Sequence, residues 1–120
     1  MGKLINYGMQ VKVGGELPPV IKEFIGMKID RNSEMSIAKI TTECGWLDTG
    51  KTPEFKEIII VEWGMLKIET KTQGYEIKAG MGYVVNPGEW VRYSSPGKHG
   101  SVFFSICTPS YTEEKANFDG

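Results

Sequence analysis

From residue 35 to residue 108 the chain is a succession of short β-favouring runs, and glycine or proline interrupts it between most of them. Residues 35–43 are rich in residues that favour strands. Residues 57–63 read as a strand buried on both faces, apolar apart from its two acids. Gly64 is expected to turn the chain, and residues 65–70 alternate as a half-exposed strand does. The Thr72-Gln73-Gly74 turn leads to a return strand at 75–78. Further strands are expected at 83–86, 90–95 and 101–108, with turns or loops at 44–53, 79–82, 87–89 and 96–100. Seven or eight short strands at this spacing predict a sandwich or barrel. A parallel α/β fold needs crossover helices, and none fits between these runs.

The flanks are weaker signals. Val11 and Val13 alternate with polar residues and suggest an edge strand that ends at Gly14-Gly15. Pro19 is placed to open one helical turn over 20–25, stopped by Gly26; the alternative is a loop tucked against the barrel. After Pro109 the polar tail reads as an extended arm or loose end. The expected division is a cover segment at 1–34, a barrel at 35–108 and a tail at 109–120. At 120 residues this is one core.

Charge excludes one class of partner. Fourteen basic residues against fifteen acidic ones give a formal charge of −1, with Arg31 and Arg92 the only arginines, so no field steers nucleic acid toward the chain. No apolar run is long enough for a membrane helix, and residues 1–8 do not form a signal peptide. Cys44 and Cys107 read as a reduced pair. A cytoplasmic protein with neither nucleic-acid nor membrane partners is expected.

The glycine order then resembles a known family. Glu57 followed after six residues by Gly64, and Gly80 followed by Asn86 and Gly88, resemble the frames of the two cupin motifs. The resemblance implies an all-β cupin barrel, a double-stranded β-helix or jelly roll, with a short N-terminal arm. It also implies metal-binding histidines, and here they are replaced. Their positions fall on Gly50 and Thr52, or on Lys51 and Pro53 at the family's shorter spacing, and on Val91 in the second motif. Of the four ligands Glu57 alone remains, and His99, the single histidine, lies in the 96–100 loop. No metal and no other cofactor is therefore expected. Residues 52–57 and 61–66 are similar to the ethanolamine-utilisation cupins, which also lack the usual histidine cluster. Tyr83 and Glu57 stand where ectoine synthase has two of its metal-binding residues.

The candidate site follows from that frame. Glu57, Tyr83 and Tyr93 are the catalytic candidates; Thr52, Glu57, Tyr83, Val91 and Arg92 are the ligand-binding candidates. A carboxylate opening an apolar run needs something polar nearby: a wet pocket, or an ion pair with Lys56, Lys51 or Arg92. In a wet pocket, Glu57→Gln is expected to change stability by no more than about 1 kcal/mol. Alternation sends Val91 and Tyr93 to one face and Trp90 and Arg92 to the other, and a bulge would reverse which face is inward. The expected function is binding of a small polar or anionic metabolite. The alternatives are a metal-independent or weakly metal-dependent isomerase, dehydratase or lyase using Glu57, and a structural or regulatory dimer without a ligand. A homodimer is expected in each case, because the apolar strands need cover.

Overall fold

β-Branched and aromatic residues commit most of the chain to strands, and where each strand bends decides where the cavity forms. The computed structural model describes residues 2–120. Its strands are β1 (Met9–Val11), β2 (Val20–Ile25), β3 (Ser36–Thr42), β4 (Trp46–Leu47), β5 (Lys56–Glu69), β6 (Gly74–Lys78), β7 (Gly82–Val85), β8 (Arg92–Ser95) and β9 (Ser101–Thr108), followed by one short helix, α1 (Glu113–Ala116). All the strand pairings are antiparallel.

β5 organises the barrel. Its first half pairs with β9 and β7, and its second half with β6 and β8. The expected turn at Gly64 is instead a bend inside one continuous 14-residue strand. The register slips between Val61 and Trp63, a β-bulge that sharpens the local twist. Gly64 sits at φ 76°, and a Cβ there would lie 2.2 Å from the Gly100 carbonyl oxygen. The bend changes which positions face inward: Glu57, Ile59 and Val61 are buried before it, Leu66 and Ile68 after it. These pack with Trp46, Ile77, Val85, Val91, Tyr93 and Phe103 into the main core.

Residues 57–63 are not buried on both faces. Ile60 and Trp63 are 45% and 51% exposed on the outer side. Residues 20–25 form neither a helical turn nor a loop; β2 pairs with β3, and β1 is the edge strand expected there. Pro19 stands just before β2, where its missing donor costs nothing. The 109–120 segment is not loose. It folds back as a strap, with Thr52, Glu54 and Asp119 donating backbone bonds to Asn117, Lys115 and Gly50 at 3.1, 2.8 and 2.9 Å. Thr112 caps α1 by accepting from Lys115 N. Under the strap, Phe55, Cys107 and Ala116 form a second small core with Tyr111. Both cysteines are free, Cys44 exposed and Cys107 buried. Among the described residues, no helix is long and apolar enough to cross a membrane.

Candidate functional site: a cavity floored by a buried ion pair

Four segments bring polar side chains to one end of the barrel. Glu57 is the first inward position of β5, and the register sets it against Cys107 of β9 and Val85 of β7. Ser105 follows two residues away from Cys107 on the same face of β9. Tyr93 comes from β8. Lys51 comes from the loop before β5 and is fixed by reciprocal backbone bonds with Val91, both 2.9 Å, and by a bridge to Phe118 of the strap.

Lys51 Nζ lies 2.8 Å from Glu57 Oε1. The Tyr93 hydroxyl donates to the same oxygen at 2.5 Å. The Ser105 hydroxyl donates to Oε2, and the Cys107 thiol is directed at Oε2 from 3.9 Å. The ammonium also stands 4.6 Å from the ring centre of Tyr93 and 5.6 Å from that of Phe55, which adds cation–π attraction. Glu57 is 2% exposed and Lys51 5%. Burial pushes the Glu57 carboxyl up, but the Lys51 charge and the bonds from Lys51, Ser105 and Tyr93 outweigh it and hold the carboxyl below its ordinary value. Burial and the neighbouring Glu57 charge push the Cys107 thiol up to about 12, and the same causes hold the Tyr93 hydroxyl well above its usual range.

This cluster floors a cavity of about 660 Å³. Ile21, Ala38, Ile40 and Phe103 form its apolar wall, residues 45–49 a second side, and residues 11–17 and the strap its rim. Asp48 lines it too, its amide donating to the Tyr93 carbonyl at 2.9 Å. Burial raises the Asp48 carboxyl above its ordinary value despite the Thr49 amide and Lys51.

Of the expected site residues, the fold brings Glu57 and Tyr93 together at this floor. Tyr83 lies outside the cavity: it stands opposite Ile59, and its ring packs on Tyr75, 5.1 Å between centres. Thr52 does not line the cavity either; its backbone is tied to the strap. Val91 points inward but is a core residue without a polar atom to offer. Arg92 points the other way and forks onto Glu69 at 3.2 and 3.0 Å. Alternation without a bulge in β8 fixes that choice. Sequence reasoning missed Asp48, Ser105 and Cys107 as members of the site, and it weighed Lys51 only as one of three partners for Glu57. The one available signal was Lys51 standing at a histidine position of the shorter motif spacing.

The residues present do not fit a metal ion of the kind the cupin resemblance implies. The described residues contain no group of three or more His, Cys, Asp or Glu side chains placed to share one. The carboxylate that remains is already occupied by an ammonium at 2.8 Å, which would repel a divalent cation.

No family model matches the chain. Among curated proteins it is similar to an endoribonuclease YbeY of Myxococcus xanthus, 30% identical over 99 residues, which is 82% of this chain; the chain spans 34% of that protein's length. Among solved structures, an RmlC-like cupin from Shewanella frigidimarina superposes with a TM-score of 0.72 at 17% identity, covering 89% of this chain and 87% of the other. A conserved protein with a double-stranded β-helix domain from Klebsiella pneumoniae gives 0.69 at 16% identity, covering 91% and 87%. The EutQ protein of Clostridium difficile gives 0.59 at 16%, covering 77% and 64%. These likenesses and the curled antiparallel sheet agree: the chain has the cupin fold, a double-stranded β-helix barrel.

Proposed function

We propose that the barrel binds a small polar metabolite, held between the apolar wall and the Lys51–Glu57 floor. The observation that carries this reading is the cavity of about 660 Å³ with a charged, hydrogen-bonded floor. An apolar pocket with a few converging polar groups is the usual form of a small-ligand site. A barrel serving only as a structural dimer has no need to keep such a space open. The lining holds five acids (Glu16, Glu23, Asp48, Glu57, Glu113) against two bases (Lys28, Lys51). That balance favours a neutral or hydroxyl-rich ligand over a multiply charged anion. Native mass spectrometry of untagged protein, with Ala38→Trp filling the cavity as the comparison, tests the reading. A retained small molecule in the wild type and none in the variant is expected; equal retention would refute it.

The likeness to an endoribonuclease gives no support to ribonuclease activity in this barrel. Only a third of that protein is matched, and the charge balance here gives RNA no attraction. Homodimerisation through the outer face of β5 and β9 is part of the same proposal. Its support is the exposure of Ile60 and Trp63 on that side. Cytoplasmic placement is supported by two free thiols, one of them exposed, which suit a reducing compartment.

A further inference from the structure

Glu57 has no acceptor capacity left for a ligand. Oε1 takes Lys51 and Tyr93, and Oε2 takes Ser105 and faces the Cys107 thiol. A carboxylate oxygen offers about two lone-pair sites, so the shell is full. A base in this position would have to break one of these bonds before it could accept a proton from anything in the cavity.

Lys51 is in the opposite situation. Its ammonium carries three N–H donors. Among the described residues Glu57 is its one ion-pair partner. The rings of Tyr93 and Phe55 flank it without supplying an oxygen. The side chain is 6% exposed and lines the cavity. A nearly buried ammonium with donors to spare asks for an oxygen acceptor. Asp48, three residues before Lys51 and lining the same cavity, supplies acceptors: Oδ1 takes the Thr49 amide, which leaves most of the carboxylate free for hydroxyl donors. Lys51 is near enough to draw the Asp48 carboxyl downward against the effect of burial.

We propose that Lys51 is the ligand-contacting group of the floor, donating to the carbonyl oxygen of a small hydroxylated carbonyl compound whose hydroxyls donate to Asp48. Glu57 is then a positioning residue, which aims the ammonium and does not touch the ligand. This rests on the cavity being a small-molecule site. The lining's excess of acids sets the ligand class: a carbonyl oxygen satisfies Lys51 without adding an anion.

The probe is D-erythronolactone, a neutral hydroxylated carbonyl compound. Erythritol, which has the hydroxyls and lacks the carbonyl, is the control. Each is titrated into the labelled full chain by NMR. The lactone is expected to shift the amides of Ala38, Ile40 and Thr49 and to show Overhauser contacts to the Lys51 ε-methylene, with erythritol binding more weakly. In Lys51→Gln/Glu57→Gln, where two amides replace the ion pair, affinity is expected to fall about tenfold or more, the scale of a lost hydrogen bond to a charged group. Asp48→Asn, away from the buried pair, is expected to weaken binding as well and does not depend on the double variant folding. Cavity shifts that persist unchanged in the double variant, or in Asp48→Asn, would overturn the assignment of Lys51 and Asp48 and leave the cavity reading standing. Equal binding of erythritol would overturn the carbonyl. If neither probe moves any cavity resonance in the wild type, the hydroxylated-carbonyl assignment is overturned, and the cavity reading stands or falls on ligand retention in native mass spectrometry.

Discussion

Glu57 is tolerated in the barrel because Lys51, Tyr93 and Ser105 replace the water it gave up. That changes what substituting it should do. In place of the 1 kcal/mol limit expected for a wet site, Glu57→Gln or Lys51→Met should cost about 3–5 kcal/mol in urea unfolding, because each leaves an uncompensated charge or a stranded donor. Removing both with Lys51→Met/Glu57→Leu should recover much of that loss; additive losses would mean the two residues are not coupled. The pair also sets an acid limit. The folded-state carboxyl lies below its unfolded value of 4.5. Its contribution is therefore complete above about pH 4.5 and is lost as pH falls through the lowered folded value. Asp48, raised above 3.8, works the other way and opposes folding increasingly as pH rises past that value. The wild type should lose stability below about pH 4.5, and the double variant should lose less of it. A wild-type urea midpoint flat from pH 6 to 3 would contradict this. Native iodoacetamide should modify exposed Cys44 and spare Cys107, whose thiol is buried and pushed up to about 12. Labelling of both at equal rates would show that the floor opens.

Two elements hold this arrangement in place. β5 keeps one course through both halves of the barrel only because Gly64 takes a left-handed conformation against the Gly100 carbonyl. A side chain there has neither the φ nor the space, so Gly64→Ala should destabilise by about 1–3 kcal/mol in urea unfolding. A neutral result would mean the bend relaxes without it. The strap acts on the site through the backbone: it pairs with residues 50–54, the segment that carries Lys51. Removing residues 111–120 should speed amide exchange at Thr52 and Glu54 and leave β6 unchanged. Unaltered protection at those two amides would show that the strap merely lies over the loop. The alternation of residues 65–70 and the Gly74 turn were readable locally. The strap was not, because its backbone bonds to the barrel are to residues more than 60 positions away.

At the scale of the whole molecule, the outer face of β5 and β9 is the place to look for a second copy. Ile60 and Trp63 stand exposed there, beside a Lys39–Glu62 pair at 3.4 Å. Sedimentation of the wild type should give a dimer at micromolar concentration, and Ile60→Glu should give a monomer of unchanged circular dichroism. A wild-type monomer would remove the dimer from the proposed function.

The class of fold was legible in the local pattern of the chain. Period-2 patterning and glycine or proline between most runs are local signals, and they located seven of the nine strands and excluded crossover helices. The same pattern marked Glu57 as the exceptional residue, since a carboxylate opening Ile58-Ile59-Ile60-Val61 demands a partner. Tertiary structure decided who the partner is. Strand register brings Ser105 and Cys107 beside Glu57, backbone pairing with Val91 and Phe118 delivers Lys51, and unbroken alternation in β8 sends Tyr93 inward and Arg92 out. Tyr83 shows the limit from the other side: it shares a strand with a neighbour of Glu57, yet two residues of register leave it against Tyr75. Pattern along a chain reports which face a residue takes; which residues meet across the barrel depends on register and bends, and those are set by contacts distant in sequence.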